Sequence, residues 1–349
     1  MTEKIKKVTI IAEACQNHNG DRTVLKEMIT TAKDAGADII KIQSMLAEDL
    51  TQRPQFETGI KDSAKAKTIQ RPYKPEYARL KPMDLDDDAH RWFIAECQKA
   101  GIKPMTTIFS WSRLKFLTSL VPCTLNNIQE NTVQYCVPSV QNLGNAVLPW
   151  DSIKLASYDC ASFSLIVEVK KHFKHLYIST GATYDEEIKQ AAQILRGHSY
   201  SLLHCVTIYP TPLDQIHLKR MDWLRQFTPS VGFSDHTLVA RDGLKASMAA
   251  IYYGADVIER HFTVLKPEQT KDGPVSIDPA QLKELVQFAR SSKADQKKFI
   301  DENIPEYSGM LGSIQRELSE TEQLNRDYYR GRFACHQGDR VINNWEQLQ

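Results

Sequence analysis

Three features that commonly mark a protein's environment are missing from this sequence. The chain of 349 residues has no run of 18 apolar residues, so it predicts no membrane-spanning helix. Its 44 Lys and Arg residues balance 43 Asp and Glu residues, and the net charge of +1 disfavours a nucleic-acid or membrane partner. The seven cysteines contain no Cys-x-x-Cys pair, which disfavours a structural zinc site or a disulfide framework. We therefore expect a soluble, cytoplasmic protein with free thiols.

Short apolar runs alternate with longer amphipathic patterns along residues 1–295. The eight runs are KVTIIAEA, DIIKIQS, KPMTTIF, SIKLAS, HLYIST, SLLHCV, SVGFSDH and VIERHF. Strand and helix repeated eight times predict an α/β fold, a (β/α)8 TIM barrel. A doubly wound open sheet is the alternative, because alternation alone does not show closure. Thr183 with Glu186 predicts a capping box, and Asp278-Pro279 predicts another helix start.

Three segments interrupt this alternation. Residues 45–84 follow the second strand, so in a barrel they lie at the C-terminal ends of the strands and are expected to cover a site there. Residues 121–150 precede the fourth strand and are expected on the opposite face, with a role in packing or assembly. The barrel pattern stops near residue 295, so we expect residues 296–349 to form a linker helix and a short C-terminal extension.

Polar residues gather where the predicted strands end, which is where active sites of such barrels lie. In chain order these residues are Glu13, Lys41, Gln43, Thr106, Thr107, Lys154, Ser157, Ser179, Thr180, Thr207, Tyr209, Ser234, Asp235, His236, Glu259 and His261. In a barrel whose interior is otherwise apolar, their convergence predicts a polar pocket.

Two lysines, Lys41 and Lys154, interrupt apolar strands. A buried ammonium group costs several kcal/mol unless it is paired. One interpretation pairs Lys41 with Glu13 and Lys154 with Asp159 as internal salt bridges. The other gives both lysines an anionic ligand that carries a carboxylate and a phosphate, with hydroxyl groups as further donors. The residues themselves leave both interpretations open.

Two histidines, His236 and His261, lie 25 residues apart, which is one strand-helix unit. They are therefore expected on neighbouring strands at similar height. Each alone is more often a structural residue than a ligand. Together, and with Glu13 and Asp235 nearby, they predict a divalent metal site with open coordination positions, as a Lewis acid requires.

Seven motifs occur in order along the predicted barrel. They are IAEACQNHNGD, AGADIIKIQ, IKLAS, ISTGA, LLHCVTIYPTP, GFSDHT and GADVIERHFT. Together they resemble the sialic acid synthase family, the phosphoenolpyruvate-dependent nonulosonate synthases. The resemblance implies a metal-dependent transferase of sialic acid biosynthesis. Such an enzyme condenses phosphoenolpyruvate with the open-chain aldehyde of an N-acylated amino sugar, giving a nine-carbon 2-keto acid and phosphate.

The resemblance also implies a role for each matching position. The implied phosphoenolpyruvate contacts are Lys41, Thr107, Lys154, Ser157, Ser179, Thr207 and Ser234, where Thr207 stands at a position that is Asn or Ser in many members. The implied ligands of Mn²⁺, Mg²⁺ or Co²⁺ are His236 and His261. The residues near the sugar are Gln43, Asp159, Tyr209 and Asp272. The implied catalytic residues are Glu13, Lys41, Lys154, His236 and His261.

Two departures from the family pattern concern the sugar side. This chain reads KDGPVSIDP where members carry a GPD motif, so Asp272 precedes the glycine. Members also end in an antifreeze-like domain with an RPG segment, whereas here we expect only a truncated remnant. One alternative is therefore a related phosphoenolpyruvate-dependent 3-deoxy-2-keto sugar acid synthase that uses a non-acylated or phosphorylated aldose. The other is a catalytically silent barrel that binds a sugar acid or scaffolds a partner enzyme.

The apolar residues of the C-terminal segment predict a homodimer in which this segment reaches the neighbouring subunit. Its apolar residues Met310, Leu311, Tyr328, Tyr329 and Phe333 are too many for a free tail. The arginines expected to reach the partner's sugar are Arg326, Arg330 and Arg332. The alternative is that the segment folds back on its own barrel.

Overall fold

A closed barrel of eight parallel strands forms the centre of the computed structural model, which describes residues 7–62, 65–122, 135–136 and 149–348. The strands are β1 Thr9–Cys15, β2 Ile39–Ser44, β3 Lys103–Ile108, β4 Ser152–Leu155, β5 His175–Ser179, β6 Ser199–Cys205, β7 Val231–Asp235 and β8 Val257–His261. Each strand pairs with its neighbours in sequence, and β1 pairs with β8 to close the ring. All eight predicted strands are confirmed, and closure rules out the open-sheet alternative.

Helices follow the strands and pack around the barrel. They are α1 Arg22–Asp34, α2 Gln55–Thr58, α3 Tyr73–Leu80, α4 Asp87–Ala100, α5 Trp111–Ser119, α6 Phe163–Val169, α7 Asp185–Ile194, α8 Arg220–Leu224, α9 Val239–Asp242, α10 Lys245–Tyr253, α11 Pro279–Arg290, α12 Lys293–Asn303, α13 Tyr307–Leu311 and α14 Glu320–Tyr329. In α1 the buried residues Leu25, Met28, Ile29 and Ala32 recur at helical spacing, so one face of the helix joins the core. Among the described residues, no helix combines the length and apolarity needed to cross a membrane.

Two predicted helix starts have different outcomes. Asp278 caps α11 in a reciprocal arrangement with Gln281, as predicted. The start of α7 lies one residue later than predicted, because Glu187 accepts a hydrogen bond from the backbone N–H of Tyr184 at 2.9 Å. The Thr183 hydroxyl instead donates to the carbonyl oxygen of Ser157 at 3.0 Å, so it joins two barrel loops and does not cap the helix.

The inward side chains of the barrel form two layers. The lower layer is a separate buried apolar cluster of Ile11, Ile39, Met105, Tyr177, Leu203 and Val257. The upper layer lies two residues further along the same strands and consists of Glu13, Lys41, Thr107, Ser179, Cys205 and Glu259. Side chains two positions apart in a strand point to the same side, so the lower layer closes the barrel beneath a polar floor.

The predictions for the two long connections fare differently. Residues 45–84 contain two short 3-10 helices, the helices α2 and α3, and a hairpin of Ile60–Asp62 with Lys65–Thr68. As predicted, they reach the C-terminal ends of the strands, where they contribute Arg71 and Arg79 to a cavity. The prediction for residues 121–150 falls almost entirely outside the described residues.

The C-terminal segment folds back on its own barrel. The backbone N–H of Leu218 donates to the carbonyl oxygen of Met310 at 2.9 Å, and that of Ala334 donates to Asp49 at 2.9 Å. A hairpin of β9 Cys335–Gln337 and β10 Arg340–Ile342 follows. Met310, Tyr328 and Phe333 are buried, which agrees with the expectation that the segment is not a free tail. The division of the chain near residue 295 stays a prediction.

Candidate active site

A cavity of about 520 Å³ opens at the C-terminal ends of the barrel strands. It is lined by 13 of the predicted site residues, namely Glu13, Lys41, Gln43, Thr107, Lys154, Ser157, Asp159, Ser179, Tyr209, Ser234, His236, His261 and Asp272. The strand register explains the convergence. Glu13 is level with both Lys41 and His261, Thr107 is level with Lys154, and Ser234 is level with Glu259.

The two lysines meet two carboxylates at the floor of the cavity. Lys41 forms an ion pair with Glu13, donates to the hydroxyl of Thr107 at 2.9 Å and lies 3.7 Å from Glu259. Lys154 Nζ donates to Glu259 Oε1 at 3.0 Å. The first predicted salt bridge is therefore present, but the second is wrong, because the partner of Lys154 is Glu259 and not Asp159.

Burial sets the protonation of this floor. Removal from water lowers the pKa of Lys41 to about 7, since burial disfavours the charged ammonium form. Burial alone would raise the pKa of Glu259, but the ammonium groups of Lys154 and Lys41 hold it well below its usual value. Glu259 is therefore ionised, and its negative charge attracts the ammonium groups of both lysines.

Asp159 lies outside this cluster, just after β4. Its Oδ1 accepts hydrogen bonds from the Ser162 hydroxyl at 2.8 Å and the Asn344 amide at 2.9 Å. Burial raises the pKa of Asp159 to about 6, which these two hydrogen bonds offset only in part. The carboxyl group is thus poised to take up a proton in weakly acidic solution.

Hydroxyl groups surround the lysines. The Ser234 hydroxyl donates to Glu259 Oε1 at 2.8 Å, and the Ser157 hydroxyl contacts the Cys205 thiol at 3.7 Å. The Ser179 hydroxyl is buried and has no hydrogen-bond partner among the described residues. An unpaired buried hydroxyl is costly, so Ser179 is suited to bind a ligand oxygen in the cavity.

Two imidazole rings, those of His236 and His261, lie edge to face on neighbouring strands with their centroids 5.2 Å apart. The Tyr209 ring lies 4.2 Å from the His236 ring, and the Cys205 thiol lies 3.6 Å from His236 Nδ1. Burial lowers the pKa of both histidines, so both rings are neutral near pH 7 and their nitrogens are available as metal ligands.

Cys15, His261 and Asp272 offer ligand atoms that all lie within 4.8 Å of one another. His261 Nδ1 is buried without a hydrogen-bond partner in the described part of the chain. Sulfur, nitrogen and carboxylate oxygen are the donors that divalent transition metals take in proteins. These residues therefore fit a divalent metal ion at the wall of the cavity.

The mouth of the cavity carries further positive charge. Arg71 and Arg79 come from the connection after β2, Arg79 from its helix α3, and Lys271 comes from the loop after β8, while Arg332 comes from the C-terminal segment. Arg79 and Arg332 share a single carboxylate, that of Glu76. With Lys41 and Lys154 the lining has six cationic side chains. Against them stand the four lining carboxylates of Glu13, Asp159, Glu259 and Asp272 and the adjoining carboxylate of Glu76, which leaves an excess of one positive charge. The cavity is thus suited to an anionic ligand.

Comparison with known proteins identifies the family. Residues 28–125 and 122–300 match the model of the NeuB family. The chain belongs to the NeuB family.

Two curated relatives of this NeuB-family chain are N,N′-diacetyllegionaminic acid synthases. The Campylobacter jejuni protein is 30% identical over 293 residues, which cover 80% of this chain and 75% of the relative. The Legionella pneumophila protein is 31% identical over 333 residues, which cover 91% and 83%. A crystal structure of N-acetylneuraminic acid synthetase from Leptospira borgpetersenii aligns with 92% of this chain and 91% of its own, with a TM-score of 0.63 and 24% identity, and it shows the same fold.

One predicted site residue of the NeuB-family chain, Thr207, does not line the cavity. Strand β6 ends at Cys205, which holds the inward position above Leu203, and the cavity lining resumes only at Ile208 and Tyr209. The carbonyl oxygen of Thr207 accepts a hydrogen bond from the Asn325 amide at 2.7 Å, so this residue holds α14 in place.

Two of the C-terminal arginines have contacts within their own chain. Arg332 lines the cavity of its own barrel. Arg326 is buried and bonds to Glu187 and to the carbonyl oxygen of Ala182, away from the cavity. Both belong to a segment that packs on its own barrel, and its contact with a neighbouring subunit stays a prediction.

Sequence reasoning gave no role to several cavity residues of the NeuB-family barrel, among them Glu259, Cys15 and Cys205. Glu259 was expected among the polar strand ends but without a role, although it binds both lysines. Cys15 and Cys205 were expected only as free thiols. The signal for Glu259 and Cys205 is their spacing of two residues from the apolar floor residues Val257 and Leu203.

Proposed function

We propose that this NeuB-family chain is a phosphoenolpyruvate-dependent synthase that makes a nonulosonic 2-keto acid. The single observation that carries the proposal is the floor of the cavity, where the ammonium groups of Lys41 and Lys154 and several hydroxyl groups converge beside two imidazole rings. Its curated relatives named as legionaminic acid synthases support the same reaction class.

The floor of the cavity suits phosphoenolpyruvate, which carries a phosphate and a carboxylate. Lys41 and Lys154 supply positive charge, and Thr107 lies beside Lys41 as a hydroxyl donor. Ser179 has a hydroxyl with no other partner among the described residues. Charge-assisted hydrogen bonds of this kind are the strong ones in proteins, so we assign this floor, with Ser157 and Ser234, to phosphoenolpyruvate.

The proposed reaction forms a C–C bond and replaces the phosphate ester at C2 by a ketone whose oxygen comes from water. C3 of phosphoenolpyruvate forms a bond to the aldehyde carbon of the sugar, and the aldehyde oxygen takes a proton to become a hydroxyl. Positive charge develops at C2, where water adds and loses a proton. The C2–O bond to phosphate then breaks, which leaves a ketone at C2 and releases phosphate. The carboxylate of Glu13, beside Lys41, is placed to stabilise the positive charge and to accept a proton.

His236 and His261 are proposed to hold a divalent metal, Mn²⁺, Mg²⁺ or Co²⁺, because their neutral rings adjoin the cavity. The metal would act as a Lewis acid on the aldehyde oxygen. Gln43, Asp159 and Tyr209 line the side of the cavity that we assign to the sugar.

A specific observation keeps a second substrate class in view. Arg71, Arg79, Lys271 and Arg332 at the mouth share few carboxylate partners. Such a rim suits a second phosphate group. A phosphorylated aldose, condensed by the same chemistry, is therefore the second candidate for the acceptor, ahead of a non-acylated neutral aldose.

The experiment is phosphate release from phosphoenolpyruvate in the presence of a panel of N-acylated amino sugars, phosphorylated amino sugars and simple aldoses. We expect release with one class of acceptor only, together with a new 2-keto acid. Lys154→Met should abolish it, whereas Lys103→Met, at an exposed lysine that starts β3, should not. A chain that binds a sugar acid yet releases no phosphate with any acceptor would instead be the catalytically silent barrel.

A cytoplasmic homodimer is also part of the proposal, as the resemblance implies. Light scattering measures the oligomeric state directly. The expected mass is twice that of the chain, and a single-chain mass would remove the dimer from the proposal without affecting the cavity.

A further inference from the structure

Strand β1 ends in an irregularity that brings a thiol into the cavity. Its register to β2 shifts between Glu13 and Cys15, which places both side chains in the cavity lining. Cys15 has a φ of 47°, in the left-handed region that side chains with a Cβ rarely adopt. Bulges of this kind redirect side chains next to active sites. The backbone thus adopts a conformation that glycine would favour while presenting a cysteine.

The thiol of Cys15 adjoins two other ligand groups. Its Sγ lies 2.9 Å from Asp272 Oδ2, and both atoms lie within 4.8 Å of a ring nitrogen of His261. Donors that share one tetrahedral metal at 2.0–2.3 Å lie about 3.6 Å apart, so small side-chain movements bring the three groups onto one ion. Independently, His261 is more than nine-tenths buried and its Nδ1 has no hydrogen-bond partner in the described residues.

We propose that the metal of this cavity is bound by the thiolate of Cys15 together with His261 and Asp272. This ligand assignment rests on the proposed function for the presence of a metal. It changes which metal ion we expect in the cavity. A thiolate is a soft ligand that favours Zn²⁺ and Co²⁺, whereas Mg²⁺ and Mn²⁺ prefer all-oxygen sites. On metal binding the S–H bond is broken, the sulfur keeps the electron pair as a ligand, and the proton leaves to solvent.

This assignment gives Asp272 a different role from the one expected from the sequence. Asp272 comes from the loop after β8 and reaches across to β1, 257 residues away in the chain. It therefore closes the metal site between the first and last strands. His236 remains beside His261 as a further imidazole from β7.

The test is a Co²⁺ titration of the full chain after metal is removed with a chelator. A thiolate bound to Co²⁺ gives an intense charge-transfer absorption in the near ultraviolet, which nitrogen and oxygen ligands alone do not give. We expect this band in the wild-type protein, with millimolar Mg²⁺ unable to displace the Co²⁺. In Cys15→Gly the band should disappear and the affinity for Co²⁺ should fall by at least about 100-fold.

Two features keep the test decisive. Glycine accepts the backbone conformation of residue 15, so Cys15→Gly should melt at or above the wild-type temperature, which excludes misfolding as the cause. Cys97→Ala, at a buried thiol on α4 outside the cavity, should keep the band. A band or an affinity unchanged in Cys15→Gly would overturn the proposal, even if the enzyme condenses phosphoenolpyruvate. Conversely, thiolate-bound Co²⁺ without turnover would refute the proposed function alone.

Discussion

Replacement of Lys154 by methionine tests whether this buried lysine binds a substrate or only neutralises Glu259. The change keeps the length of the side chain and removes its charge. In the structure, Lys154 Nζ donates to Glu259 Oε1 at 3.0 Å, and Lys41 is 3.7 Å from the same carboxylate. Lys154→Met therefore leaves Glu259 with its more distant lysine and with the hydroxyl of Ser234.

The expected cost follows from these contacts. Removal of one partner from a buried ion pair lowers the free energy of unfolding by about 3–5 kcal/mol. Because Lys41 and Ser234 remain, we expect the lower end, about 3 kcal/mol. In the double variant Lys154→Met/Glu259→Gln the unpaired carboxylate is gone, and the carboxamide oxygen still accepts from Ser234. We expect this variant to recover about 2 kcal/mol of the loss, a coupling typical of residues in direct contact.

Two measurements separate the interpretations. Urea unfolding gives the stability of the wild type, both single variants and the double variant, and calorimetric titration gives their affinity for phosphoenolpyruvate. A charged hydrogen bond to a ligand contributes about 1.5–3 kcal/mol, so affinity should fall roughly 10- to 100-fold in both variants that lack Lys154. If the double variant binds phosphoenolpyruvate as tightly as the wild type, Lys154 serves only to pair Glu259 and our assignment is wrong.

Three further predictions concern the rest of the cavity. Ser179→Ala should leave stability unchanged, because the hydroxyl has no partner to lose in the part of the chain that the structure describes, yet weaken phosphoenolpyruvate binding about tenfold in a calorimetric titration. Ser162→Ala, which loses its bond to Asp159, should do the opposite, and the reverse pattern would refute the assignment of Ser179. Asp159 has a pKa raised from 3.8 to about 6 by burial, so the folded state binds the proton more tightly and stability should fall as pH rises from about 4 to 6. Asp159→Asn should remove that fall, and its free energy of unfolding at pH 7 should be higher than that of the wild type by up to about 3 kcal/mol. The control Asp151→Asn, at an exposed carboxylate, should leave the free energy of unfolding unchanged. Identical pH profiles for Asp159→Asn and the wild type would contradict the buried titration. Arg332→Met should raise the KM for the sugar several-fold in steady-state assays. The control Arg326→Met should lower the melting temperature without changing KM. Equal effects of the two changes on KM would show that the rim does not touch the acceptor.

The barrel itself was predictable because each strand carries a readable pattern. Apolar runs of strand length, separated by helices with recognisable caps such as Asp278, were enough to predict eight strands in order. Strand ends meet on one face of a barrel, so the convergence of the polar residues followed from topology alone. The start of α7 was misplaced because Thr183 and Tyr184 both precede an acidic turn, so either could be the N-cap. What decides against Thr183 is its contact with another loop, which the sequence does not show.

The pairing inside the barrel was not predictable in the same way. Lys154 on β4 and Glu259 on β8 are 105 residues apart and face each other across the barrel, and local spacing carries no information about such a pair. Asp159, chosen because it is near in sequence, lies past the end of β4 in a short turn. The position of Cys15 depends on a β-bulge between Glu13 and Cys15, and the residue types of this stretch do not predict that bulge.

The C-terminal segment shows a second limit of sequence reasoning. Met310, Tyr328 and Phe333 require burial, which the apolar pattern indicates correctly. The pattern does not say which surface buries them. The structure supplies it from the same chain, through α13 against the loop before α8 and through α14 beside Thr207.

The central claim, that this cavity joins phosphoenolpyruvate to a sugar aldehyde, is tested most directly by following the bridging oxygen of phosphoenolpyruvate. The substrate is labelled with ¹⁸O between C2 and phosphorus and incubated with the accepted sugar, and both products are analysed by mass spectrometry. The proposed C–O cleavage predicts that all of the label leaves in phosphate and that the new keto oxygen comes from water. Label retained in the keto acid would contradict the account, since the P–O bond would then be the one that breaks.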